Sequence, residues 1–229
     1  MARDIFERKI QQIKDEILLL GSMVEQAALD SVAAFKNKDQ KAARTIIEED
    51  QAINDKRFAI ENAIMILFAT QQPLAHDLRL LSAMFLVSNE LERMGDYAKG
   101  IASNTIRLGN TDIPIPIRDI EKMAEIGVSM LHRSLSAFVN EKIDQAIKIP
   151  EDDDQVDELF NKSYRAIVNA MVANPATIDE ASFLLWVVHN LERFADRSVN
   201  ICERTIFIIS GELLEMDSSD DEMRFDHED

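Results

Sequence analysis

Oxygen-bearing side chains recur in this sequence at a spacing of four. Glu92 and Asp96 form one pair, and Glu192 and Asp196 form another, with Asn200 four residues further on. Asp50 with Asn54, and Asp153 with Asp157, repeat the spacing upstream. On a helix, residues four apart stand one above the other on the same face. Two acids placed so repel by about a few tenths of a kcal/mol, whereas an ordinary surface helix tends to set Lys or Arg opposite an acid. Neighbouring helices that carry such pairs gather oxygen donors of the kind that hard and borderline cations take. The expected ligand is therefore a divalent or trivalent metal ion, in a mononuclear or multinuclear site, with Fe, Mn, Zn and Mg not resolved by the donor set. The candidate metal residues are Asp50, Asn54, Glu92 and Asp96 in the first half, and Asp153, Asp157, Glu192, Asp196 and Asn200 in the second. The plain alternative is a solvated acidic face with Arg93 and Arg193 as partners. Recurrence on two helices in each half favours cations.

The elements that position these residues follow from apolar spacing. One seam runs Leu80, Met84, Val87, Leu91, Met94, Ala98, Ile101, Thr105, Leu108. A second runs Leu184, Val187, Leu191, Phe194, Ser198, Ile201, Thr205, Ile208. Steps of three and four alternate, as in packed helices. With Leu91 and Leu191 at position a, each Glu falls at b and each Asp at f. His189 and Glu203 also fall at f. The acids are thus expected opposite the seam, on an outer face.

The two seams belong to an internal repeat. At an offset of 103, Ser31, Ala34, Phe35, Asn37, Ala43, Ile46 and Asp50 meet identical residues. At an offset of 100, Leu91-Glu92-Arg93 meets Leu191-Glu192-Arg193, and Asp96, Ile101 and Thr105-Ile106 meet their copies. The offset changes around the loops at 71–73 and 173–175, where length changes are tolerated. A unit of about 100 residues is too long for a solenoid repeat. Each half reads as three helices: 6–37, 40–68 and 73–108, then 118–140, 143–172 and 178–210. Short links make neighbours antiparallel. The expectation is all-α: two tandem, pseudo-symmetric three-helix bundles at 1–110 and 118–211. A linker at 111–117 holds Pro114 and Pro116, and an acidic tail occupies 212–229. Pro73 can open a helix, and Gly109 and Gly211 can close one.

Composition agrees. Gly and Pro together are 11 of 229 residues, too few for a many-stranded sandwich or a Gly-rich nucleotide fold. The apolar share of 46% is enough for a core. A net charge of −17 opposes nucleic acid and anionic lipid as partners. The stretch 212–229 holds nine acids against Arg224 alone, and reads as a solvated tail. Cys202, the one cysteine, cannot form an internal disulfide, which fits a reducing compartment. The N-terminus lacks a signal-peptide core, and no run approaches about 18 uninterrupted apolar residues. The expectation is a cytoplasmic protein with no direct membrane insertion.

The segment Asn89-Glu90-Leu91-Glu92-Arg93-Met94-Gly95-Asp96-Tyr97-Ala98 resembles the signature of the PhoU family of phosphate-uptake regulators. So does Leu191-Glu192-Arg193-Phe194-Ala195-Asp196 with Asn200-Ile201, and Asp77-Leu78-Arg79 after Pro73. The resemblance covers about residues 5–211. It implies two three-helix bundles with an acidic E-x-x-x-D metal motif in each. It implies a negative regulator of the phosphate-starvation response, linking the ATPase subunit of a phosphate ABC transporter to a sensor histidine kinase. It also implies a homodimer and no catalysis. The chain departs from the family pattern at Gly100, where Asn is usual, at Asn54, where an acid is common, and at Ala195, where Gly is usual. The first-half site should therefore be the weaker one.

Two other functions compete. A ferritin-like di-metal oxidase would project its ligands into the bundle core and use Glu-x-x-His pairs; none accompanies the repeated acids. A metal-free helical scaffold keeps the fold without the ions. His189 is a possible added ligand, Trp186 a possible partner contact with partial burial as the default, and Cys202 an inert helical thiol. No Ser/His/Asp arrangement, phosphate loop or Cys-x-x-Cys is present.

Overall fold

A computed structural model describes residues 2–109 and 116–216. The helices are α1 (Ala2–Asn37), α2 (Gln40–Gln71), α3 (His76–Leu108), α4 (Ile117–Val139), α5 (Ile143–Ala146), α6 (Asp153–Ala173) and α7 (Ile178–Ser210). Among the described residues there is no strand. The all-α, duplicated three-helix plan holds.

Boundaries moved where local chemistry was misread. The helix expected over 143–172 is broken. Pro150 lacks an N–H, so the chain makes α5, then a 3-10 turn over Ile149–Asp152, and only then α6. Pro73 does not open α3. Ala75, at φ 48°, interrupts the chain, and the helix starts at His76. Asp39 caps α2, accepting hydrogen bonds from the amides of Lys41 and Ala42. Gly211, at φ 79°, closes α7 in the left-handed conformation expected of it. Most of the linker read at 111–117 lies outside the described residues, and Ile117 already belongs to α4.

The two bundles are not separate beads. α3 packs on α1, α2 and α7, while α7 packs on α3, α4 and α6. The first core takes Leu131, Leu135 and Phe138 from α4 and Phe194, Ile201 and Ile208 from α7. The second takes Val32 and Phe35 from α1 and Ile101 and Leu108 from α3. Helix α1 meets α4 at Gly21, where an added Cβ would stand 2.2 Å from Leu135 Cδ1.

Polar contacts repeat the pseudo-symmetry. Asn200 donates to Glu90 Oε2 on α3 at 3.3 Å, and Arg197 approaches the same carboxylate at 3.6 Å. At the symmetric contact, Gly100 leaves room for Asn190; a Cβ at 100 would lie 2.6 Å from the Asn190 amide nitrogen. Gly100 is thus a packing adaptation to the other half.

Helix α1 also has an 18-residue window of mean hydropathy 1.4, long and apolar enough to cross a membrane by composition. In the fold, its Ile17, Leu20, Val24 and Ala28 fill the first core.

Glu141 joins the halves at the α4–α5 turn. Lys14 Nζ donates to it at 3.0 Å and also to the Val139 carbonyl at 2.8 Å, and His76 Nε2 lies 2.8 Å from its second oxygen. Burial pushes the Glu141 carboxyl up, but the hydrogen bonds from Lys14 and His76 outweigh it and hold the group below its ordinary value. A lowered folded-state pKa contributes stability above the unfolded value and loses it as pH falls through the folded one. Glu141→Gln should therefore cost about 1 kcal/mol at pH 7. The gap from wild type should close below roughly pH 4. Urea unfolding at several pH values measures it.

Candidate metal centre

The acids do not form an open stripe. Asp50, Asp153 and Asp196 are 5%, 6% and 1% exposed, Glu203 is buried as well, and Glu92, Asn54, Asp157 and Glu192 are half-buried. Only Asp96 is exposed. The expectation of an outer face fails because α3 and α7 each pack against three other helices. The side opposite the a/d seam is still covered by other elements.

In the first half, α2 and α3 bring Asp50, Asn54, Glu92 and Asp96 together. Asn54 Nδ2 donates to Asp50 Oδ2 at 3.1 Å. Burial, then the charges of Asp96 and Asp50, raise the Glu92 carboxyl above its ordinary range. Burial and then Asp50 do the same to Asp96. Gly95 sets the close helix approach: a Cβ there would lie 3.1 Å from Ile53 Cγ2 and 3.8 Å from Asp50 Oδ1. Sequence reading missed Lys99. Its Nζ donates to Asp50 Oδ2 at 2.7 Å and lies 3.8 Å from Asp96 Oδ1. The signal was available, since Lys99 follows Asp96 by three on one helix face. Arg57, also on α2, is engaged with Glu61 at 2.7 Å and contacts Asn89 at 3.5 Å.

In the second half, Asp153 and Asp157 stand on α6, and Glu192 and Asp196 on α7, which packs against it. Asn200 turns to Glu90, which places it at the contact between halves. His189 Nδ1 lies 3.3 Å from Glu192 Oε2, and its Nε2 accepts from Arg193 at 3.3 Å. Its ring centroid lies 6.3 Å from that of Phe160 and 6.0 Å from that of Trp186. Trp186 is 57% exposed, more open than expected. Burial pushes the Cys202 thiol up to about 12, which makes it the inert thiol expected. The tail read at 212–229 does not begin as free chain. Met216 N donates to buried Glu203 at 2.8 Å, and its side chain packs on the second core; 217–229 lie outside the described residues.

The donor set is all oxygen and suits hard cations. Asp50 Oδ1 is buried and accepts no hydrogen bond, so it is an oxygen that a cation or a donor could meet. Among the described residues, however, no three His, Cys, Asp or Glu side chains converge closely enough to hold an ion as they stand.

Comparison with known proteins agrees with the duplicated architecture. The PhoU domain pattern matches residues 17–105 and again 120–205. A phosphate-specific transport system accessory protein PhoU homolog from Clostridium acetobutylicum is 34% identical over 217 residues, covering 94% of this chain and 99% of its own. The phosphate-specific transport system accessory protein PhoU of Escherichia coli is 30% identical over 207 residues, covering 90% and 86%. The crystal structure of the phosphate transport system regulatory protein PhoU from Streptococcus pneumoniae superposes with a TM-score of 0.85 at 31% identity, over 92% of this chain and all of that one. Two matched halves, in order and end to end with these relatives, make the chain a member of the PhoU family.

Proposed function

We propose that this chain is a cytoplasmic, non-catalytic accessory protein of a phosphate-specific transport system. In this reading it is a homodimer and a negative regulator of the phosphate-starvation response, joining the transporter's ATPase subunit to a sensor histidine kinase. The observation that carries it is the full-length, duplicated match to relatives named as accessory proteins of that system.

Metal binding is part of the proposal. A bound di- or trivalent ion would supply positive charge that offsets the crowded carboxylates. Asp153, Asp157, Glu192 and Asp196 would hold it in the second half; in the first, the Lys99 ammonium already stands among the carboxylates of Asp50 and Asp96. The chain's own contribution is to keep these acids partly buried and close, so that charge neutralisation stiffens α2 on α3 and α6 on α7. Trp186, exposed on α7, gives a partner an apolar anchor on the same helix. A metal-free scaffold is the second reading, favoured by the ion pair that Lys99 already makes with Asp50.

The test is affinity capture of the tagged full-length chain from phosphate-replete cells. Both the transporter ATPase and a histidine kinase should co-purify. Absence of both overturns the regulatory reading. Elemental analysis of the same preparation, with Glu192→Ala/Asp196→Ala as the comparison, separates the metal-binding protein from the scaffold.

A further inference from the structure

Duplicated folds invite the assumption that both halves do the same thing. Here the two acidic clusters differ at several aligned positions, and two of the differences remove hydrogen-bond donors that the first half aims at Asp50. Lys99 of the first half aligns with Val199 of the second, and Asn54 aligns with Asp157. Lys99 Nζ and Asn54 Nδ2 both donate to Asp50 Oδ2, at 2.7 and 3.1 Å. Asn54 therefore turns its amide nitrogen, which cannot ligate a cation, to one of the two Asp50 carboxylate oxygens. Val199 and Asp157 have no side-chain N–H to play either part, and Val199 is buried in the second core.

The first cluster also has a built interior. Asp50 is 5% exposed, and its Oδ1 is buried with no hydrogen-bond partner. It lines a 470 Å³ groove together with Gly95 and Lys99, opening between α1 and α2 at Met23 and Ala27. Lys99 is part of the lining, and its ammonium lies 3.8 Å from Asp96 Oδ1. Two more cations act on the cluster: Arg57, whose guanidinium hydrogen-bonds Glu61 and Asn89, and Arg93, which lies next to Glu92 in the chain. A strongly hydrated ammonium on a flexible stem is the residue type that can fill a cation position without fixed coordination geometry.

We propose that the Lys99 ammonium is the resident cation of the first-half carboxylate cluster and keeps metal ions out of it. The first half then neutralises its own acids with its own side chain; metal binding in the second half belongs to the metal-binding reading above, and the role of Lys99 does not rest on it.

The experiment titrates Mn²⁺ into the full-length chain, counting bound metal by elemental analysis and calorimetry. Wild type is compared with Glu92→Gln, Lys99→Met, Lys99→Arg and Lys99→Met/Asp50→Asn, each checked for helical content. Lys99 is partly exposed, so its truncation opens no core cavity. Glu92→Gln should leave wild-type stoichiometry unchanged. Lys99→Met should gain one Mn²⁺ per chain and regain its Tm when Mn²⁺ is added. Lys99→Arg should gain none, and the Asp50→Asn addition should abolish the gain. If wild type binds no Mn²⁺ while Lys99→Met binds one, the role of Lys99 stands and the metal reading of the second half falls. A stoichiometry lowered by Glu92→Gln, or a folded Lys99→Met that gains no metal, overturns the inference.

Discussion

Phe194→Ala is expected to lower the stability of the whole chain by about 3–5 kcal/mol, the usual cost of emptying a buried aromatic site. For a chain of this size that is a Tm lower by roughly 10 °C. Phe194 stands on α7 but is 2% exposed inside the core built mostly from α1, α2 and α3. Its ring edge rests over Gly127 of α4: a Cβ there would lie 3.2 Å from Phe194 Cδ1 and 3.8 Å from the Ala195 Cβ. Gly127 itself has no side chain that could move into the space left by Ala. Phe194→Leu refills part of the volume and should cost about a third as much. The more telling expectation is the shape of the transition. Each core borrows side chains from the other half, so the variant should still unfold in one step. Far-UV ellipticity and Trp186 fluorescence report on different parts of the chain, and their transitions should coincide. Two separated transitions would show that the halves fold independently and that the shared core carries little of the stability.

How far the sequence foretold this can be argued from particular residues. The helices were legible because their signals are local. The seam from Leu80 to Leu108, the cap at Asp39 and the closing Gly211 each act within a few residues. Pro150 was local too, and it was overlooked inside an otherwise helical run. The burial of Asp196 was not legible by the same route. A helical wheel knows one packed face, whereas α7 is packed on three sides, and nothing in its own periodicity shows where α3 and α6 lie. Gly100 makes the point most sharply. As a residue in a motif it read as a lost oxygen ligand. In the fold it is the space that Asn190 needs, ninety residues away. Likewise Asn200 was assigned to a metal set by its spacing from Asp196, while its amide faces Glu90 across the halves. Spacing along one helix fixes which residues share a face. It does not fix which neighbour that face meets.

That limit shapes the choice of variant for the metal reading. Asp153 and Asp196 are nearly fully buried, so changing them mixes ligand loss with disturbed packing. Glu192 and Asp157 are half-buried and stand on different helices, α7 and α6. Glu192→Gln with Asp157→Asn keeps both shapes and removes two negative charges. Affinity for Mn²⁺ should fall by at least about 100-fold, more than the loss that follows from altering groups one shell further out. With Mn²⁺ at about 100 times the wild-type Kd, wild type should gain about 2.7 kcal/mol and the variant almost nothing. Glu203→Gln is the control: this buried acid of α7 accepts a hydrogen bond from the Met216 amide, outside the cluster, and its loss should leave the Mn²⁺ response intact. Thermal shifts with and without Mn²⁺, on all three proteins, decide the matter. An equal Mn²⁺ shift in wild type and the double variant would remove the second-half carboxylates as ligands. It would leave the family assignment standing on the fold and the duplicated match alone.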